Sequence, residues 1–178
     1  MRIVGGKHRG RKLFTPQDYS IRPTADNVRE ALFNILGNVN GCTFLDLFGG
    51  SGAVALEAVS RGAKATVADK NAKSVALIKR NFELCKEQAT IMQVEAKIAL
   101  KAQSAPFDYI FLDPPYAMDI TELLGDIARS AAMGEDTLLI YEKEAKAEVV
   151  NIEGLQVTDT RKYGIVGLVF YKRKGEDL

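Results

Sequence analysis

Five short runs, TFLDLF, ATVAD, TIMQVE, DYIFLD and TLLIYE, are apolar almost end to end, and segments with helical spacing separate them: AVALEAVSR, AKSVALIKRNFELCK, IALKAQ and ITELLGDIARSAA. A strand that is apolar on both sides is covered on both faces, and a strand followed by a crossover helix returns parallel to its predecessor. The chain therefore reads as a doubly wound, Rossmann-like α/β sheet, mostly parallel. The last third breaks the rhythm. LQVTDTRKYG and IVGLVFYKR are strand-like runs with little more than a turn between them, and are expected to close the sheet as an antiparallel hairpin. Ahead of the first strand, TADNVREALFNILG has Val28, Ala31, Leu32 and Ile35 at amphipathic spacing, with Thr24 as N-cap and Gly37 as the stop.

With 178 residues, 47% apolar and 26% charged, the chain suits one domain over 1–178. A basic arm and helix fill 1–40, and a cofactor-binding core fills 41–178. No run is long and apolar enough for a membrane span, and MRIVGGKHRGRKL has no apolar stretch of a secretory signal, so a cytoplasmic location is expected. Cys42 and Cys85 form no C-x-x-C pair and His8 is the only histidine, which argues against a Cys/His metal site. The net charge of +1 is unevenly spread: Arg2, Lys7, Arg9, Arg11 and Lys12 crowd residues 1–14 without an acid. That is either a solvated tail or a surface for a phosphate backbone. The mixed charges of YKRKGEDL read as a frayed end.

In doubly wound sheets a ligand lies beyond the carboxyl ends of the strands, where strand order reverses, so strand ends carry the functional reading. After Asp46 come Gly49, Gly50, Ser51 and Gly52, between a strand and a helix. Such a loop lets backbone approach a ligand beside unpaired helix N–H groups. Gly50 to Ala55 also fits G-x-G-x-x-A, so a nicotinamide dinucleotide competes with S-adenosylmethionine. Asp69, ending the second strand, would accept from ribose hydroxyls in either. Asp46 favours S-adenosylmethionine, because a carboxylate there repels a pyrophosphate but attracts the ammonium of a methionine moiety. Glu95, ending TIMQVE, either accepts from an adenine amine or is a solvated acid.

The fourth strand ends in Asp113-Pro114-Pro115-Tyr116. The prolines remove N–H donors and fix a rigid, acceptor-rich turn. A planar exocyclic amine offers two N–H groups. If Asp113 and the Pro114 carbonyl accept one each, the nitrogen is oriented toward an electrophilic methyl, while Tyr116 stacks on the base. The chemistry requires no metal.

Together, DLFGGSG, Asp69 and FLDPPY resemble the class I S-adenosylmethionine-dependent amino-methyltransferases. RIVGGKHRGRKL followed by IRPTADNVREALFNIL is similar, more narrowly, to the bacterial 16S ribosomal RNA guanine-966 N2 methyltransferase family, a resemblance that covers essentially the whole chain. It implies that Asp46, Gly49, Gly50, Gly52, Asp69 and Glu95 hold the cofactor, and that Asp113, Pro114, Pro115 and Tyr116 hold a flipped guanine. Arg9, Arg11, Lys12 and Arg22 would face 16S rRNA within the small subunit or an assembly intermediate. Glu95 departs from the Asp that many relatives carry. Guanine over adenine rests on the resemblance alone, since the proline corner suits either base. N6-adenine methylation, protein glutamine methylation and a non-enzymatic role in ribosome assembly stay open.

Overall fold

The structure, a computed structural model, describes residues 1–17 and 24–175; Arg22 and Pro23 lie outside them, as do the last three residues of YKRKGEDL. The chain forms α1 (Asp26–Leu36), β1 (Thr43–Asp46), α2 (Ala53–Ser60), β2 (Lys64–Ala68), α3 (Ala72–Leu84), β3 (Thr90–Met92) and α4 (Ala96–Lys101). It continues through β4 (Tyr109–Leu112), α5 (Thr121–Arg129), β5 (Leu138–Glu144), β6 (Leu155–Tyr163) and β7 (Val166–Arg173). The strands make one sheet in the order β3-β2-β1-β4-β5-β7-β6. Strands β1 to β5 run parallel, and the β6–β7 hairpin joins β5 antiparallel, as the apolar runs predict. Among the described residues no helix is long and apolar enough to cross a membrane.

Both faces are covered because residues of alternate parity are apolar on either side. Leu45, Ile110, Leu112 and Leu139 pack with Leu123 and Ile127 of α5 on one face. Phe44, Phe111 and Ile140 pack with Leu32 and Phe33 of α1 on the other, where the rings of Phe33 and Phe44 stack with centroids 6.0 Å apart. Asn71 caps α3, accepting from the N–H groups of Lys73 and Ser74 at 2.8 and 3.4 Å.

Two expectations are corrected. The helix α1 begins at Asp26 with Ala25 in the N-cap position and no side-chain cap; the Thr24 hydroxyl turns inward to two carboxylates instead. Strand β3 stops at Met92, short of Glu95. It is an edge strand whose ladder partner is Thr66–Ala68 of β2, and once that partner ends, nothing holds residues 93–95 in the ladder. Glu95 stands at the N-cap of α4.

Candidate functional site

Strand order reverses between β2-β1 and β4, and a cavity of about 600 Å³ opens there over the strand ends. Of the residues singled out in the sequence, Gly50, Asp69, Glu95, Asp113, Pro114, Pro115 and Tyr116 line its wall together. Asp69 is a fixed element: one oxygen accepts from the Gly50 N–H at 3.0 Å and the other from the Asn71 N–H at 2.9 Å. It thus ties the glycine loop to the start of α3 while facing the cavity. Gly50 takes a left-handed φ of 57°, which turns its N–H onto Asp69. Gly49 serves packing, since a Cβ there would stand 2.5 Å from a Val67 methyl and 2.7 Å from the Ile78 terminus. Gly52, the N-cap of α2, packs against Ile78 in the same way.

Asp46 is buried, 1% exposed, and is set beneath the cavity rather than on its wall. Its oxygen accepts from the Phe48 N–H at 3.1 Å. Burial pushes its carboxyl up to about 7 against that hydrogen bond, and the charges of Asp69 and Glu142 add to the push. A cation arriving above it would have the opposite effect.

At the proline corner Pro114 is buried, while Pro115 and Tyr116 are exposed at the mouth. The Pro115 carbonyl accepts from the Met118 N–H at 2.9 Å, which closes the turn behind the two prolines. Asp113 meets a group that sequence reasoning missed. The Thr24 hydroxyl lies 3.2 Å from one Asp113 oxygen and 3.1 Å from one Glu142 oxygen, and Glu142 is 2% exposed. The signal was present in TLLIYE: Glu142 has the parity of Ile140, so strand alternation sends its charge inward. Thr24 is held by Arg29, fully buried, whose guanidinium donates to the Thr24 carbonyl at 3.1 Å, to Asp26 at 3.0 Å and to the Arg2 carbonyl.

The basic arm is no loose tail. Residues 1–13 double back on themselves, with Ile3 donating to Arg11, Gly10 to Ile3 and Leu13 to Met1, while Ile3 and Leu13 are buried against α2 and α3. Buried polar groups pin it. Glu57 accepts from the Val4 N–H at 3.0 Å, Ser60 bonds Gly5 and His8, and Asn81 bonds both backbone groups of Phe14. Arg9, Arg11 and Lys12 are exposed on the turn. That turn adjoins Ser60, the last residue of α2, whose first residues adjoin the glycine loop. The turn and the glycine loop thus adjoin opposite ends of α2, and none of Arg9, Arg11 and Lys12 lines the cavity. Among the described residues no group of His, Cys, Asp and Glu could hold a metal.

Comparison with known proteins places these features in a group. Residues 1–172 match the family described as conserved hypothetical protein 95. The ribosomal RNA small subunit methyltransferase D of Escherichia coli K12 is 38% identical over 154 residues, 85% of this chain and 76% of that protein. The solved structure of a hypothetical protein from Thermus thermophilus superposes with a TM-score of 0.85 at 33% identity, covering 97% of this chain and 99% of that one. A T. thermophilus 16S rRNA N2 methyltransferase, solved in complex with AdoMet and guanosine, shares the fold, with a TM-score of 0.68 at 20% identity over 88% of this chain and 45% of its own.

Proposed function

The chain belongs to the conserved hypothetical protein 95 family, and from that membership we propose that it is an S-adenosylmethionine-dependent ribosomal RNA methyltransferase, acting on the exocyclic N2 amine of a guanine in the 16S rRNA of the small subunit. The observation that carries the reading is the meeting of Asp69, Gly50 and Asp113-Pro114-Pro115-Tyr116 on one cavity at the switch point. Two kinds of acceptor, one for a ribose and one for an amine, face each other there. The relatives' names support the substrate: the E. coli relative is a small-subunit rRNA methyltransferase, and the T. thermophilus enzyme holds AdoMet and guanosine.

The residues present fit the cofactor. Asp69, immobilised by two backbone N–H groups, suits a vicinal diol. The Asp46 carboxyl, which burial holds up to about 7, suits an ammonium above it. Glu95 and Lys97 stand at the α4 end of the cavity, where Glu95 can accept from an adenine amine. S-adenosylmethionine supplies an electrophilic sulfonium methyl. The chain supplies orientation: Asp113 accepts one N–H of the guanine amine, the Pro114 carbonyl accepts the other, and Tyr116 covers the base face. Fixing both N–H groups aims the nitrogen lone pair, which is the proximity part of the rate gain. Asp113 then receives the proton that the methylated nitrogen sheds. Extruding the guanine costs a few kcal/mol, which phosphate contacts from Arg9, Arg11 and Lys12 offset.

The test is methyl transfer from labelled S-adenosylmethionine to small subunits from cells lacking the protein, with the modified nucleoside identified by mass. N2-methylguanosine is the expected product. N6-methyladenosine would keep the chemistry and overturn the base assignment; bound cofactor without transfer would move the substrate to DNA or protein.

A further inference from the structure

Resting on that reading, we propose that Thr24 and Glu142 form a proton outlet for Asp113, with Glu142 acting through the Thr24 hydroxyl as a positioning residue for the transfer. The geometry points to it because of a shortage of hydrogens. The Thr24 oxygen lies 3.2 Å from Asp113 and 3.1 Å from Glu142, yet a hydroxyl carries a single hydrogen and can donate to one carboxylate at a time. The second contact becomes a hydrogen bond only when the carboxyl on that side carries a proton and donates to Thr24. The row of three oxygens therefore holds one proton well, at either end. After transfer, the nitrogen gives its proton to the Asp113 oxygen. Thr24 accepts that proton from Asp113 and releases its own to Glu142, leaving Asp113 ionised again.

Topology sets the row in place. Phe111 pairs with Ile140 across β4 and β5, so Asp113 and Glu142, each two residues further on, stand side by side on the face that α1 covers. Arg29 clamps the Thr24 carbonyl from α1, fixing the hydroxyl between them. Asp113 faces the cavity, while Glu142 is 2% exposed, so the row draws the proton away from the base and hands it back through Thr24 and Asp113 to the cavity once the product has left. Other titratable and charged groups near the row are Asp46, which feels the charges of Glu142 and Asp69, Tyr141, which feels those of Asp113 and Asp119, and Arg29 behind Thr24. Both carboxylates also have contacts beyond the row.

Two variants push the acid limb of the pH–rate profile in opposite directions. Glu142→Gln removes a neighbouring negative charge, so Asp113 ionises more readily and the limb moves lower. Thr24→Val leaves every charge in place but removes the hydroxyl that stabilises ionised Asp113, so the limb moves higher. Each should lower the multiple-turnover plateau about tenfold or more, with cofactor affinity within a few-fold of wild type. Thr24→Ser should restore the rate. Multiple-turnover transfer to small subunits from about pH 5 to 9 at saturating cofactor, with calorimetric titration of cofactor alongside, reads all of this. Limbs that stay at the wild-type pH, or that move in the same direction, would overturn the outlet while leaving methyl transfer standing. A wild-type protein that transfers nothing to subunits, with cofactor bound, would instead overturn the methyltransferase reading on which the outlet rests.

Discussion

The cavity and the basic arm handle charge in opposite ways. At the strand ends, Asp46, Asp69, Asp113 and Glu142 bring four acids together, two of them nearly sealed from water. On the arm, Arg9, Arg11 and Lys12 are exposed on a turn whose backbone is what the fold grips, through Glu57, Ser60 and Asn81. Charge in the cavity is costly and tuned by position, so single changes there should have large effects that depend on pH. Charge on the arm is cheap and screened, so it works by number and its effects should depend on salt.

The largest expected effect is in the cavity. Asp113→Ala removes the acceptor of the amine N–H and the first stop of its proton, and should lower single-turnover transfer by about a thousandfold or more. Cofactor affinity should stay within a few-fold, because Asp113 addresses the amine. Calorimetry showing a large loss of cofactor binding would break the division of the cavity into a cofactor side and a base side.

Next comes Asp46→Asn, for which the sign follows from its position. The folded carboxyl titrates at about 7, above its ordinary value of 3.8. Below about pH 4 both folded and unfolded forms are protonated and it contributes nothing. Between about 4 and 7 the unfolded chain ionises first, so stability falls as pH rises. Above about 7 the full cost applies, on the order of 4 kcal/mol. The asparagine keeps the acceptor for Phe48 without the charge, so the cofactor-free variant should melt about 8–16 °C above wild type at about pH 8 and level with it at about pH 4. It should also bind S-adenosylmethionine more weakly. Equal melting temperatures on the alkaline side would mean that Asp46 is not an acid strained by burial.

The same contrast explains what the sequence could disclose. Asp69 and Asp113 were legible because each follows an apolar strand, and parallel topology delivers strand ends to one place. Glu142 was legible only in hindsight, since a charge of inward parity looks like an exposed end until the register beside Asp113 is known. Thr24 misled because a threonine before an amphipathic run has the form of an N-cap, and only tertiary packing shows two carboxylates competing for its hydroxyl. Glu95 misled because periodicity carries no information on where an edge strand loses its partner. The arm's docking was illegible for another reason: Glu57 and Asn81 look like the solvated faces of α2 and α3, and become buried anchors only because the arm folds over them.

On the arm, effects should shrink and change character. Replacing Arg9, Arg11 and Lys12 together with glutamine should weaken binding to small subunits roughly tenfold at moderate salt and reduce the slope of log affinity against log salt by about 2–3. The plateau rate at saturating subunits should hold, since none of the three residues lines the cavity. An unchanged slope would remove the arm from the RNA interface; a collapsed plateau rate would mean that the arm reaches the cavity after all.

The smallest effect belongs to Lys7, whose ammonium pairs with Glu87 at 3.2 Å while its side chain is 73% exposed. Glu87 relies on it less than on His8. His8 holds the same oxygen at 2.7 Å from a side chain only 14% exposed, and the His8 contact is the main reason that the Glu87 carboxyl sits below its ordinary range. Lys7→Ala should therefore cost under about 0.5 kcal/mol in chemical denaturation, and even that difference should vanish in roughly half-molar salt. Removing Glu87 itself should cost more, because the lowered carboxyl contributes stability above its ordinary titration range that is lost as pH falls. If Lys7→Ala proved as damaging as a change in the cavity, the arm's charges would be holding the fold as well as facing outward, and the difference between the two regions would lie in burial alone.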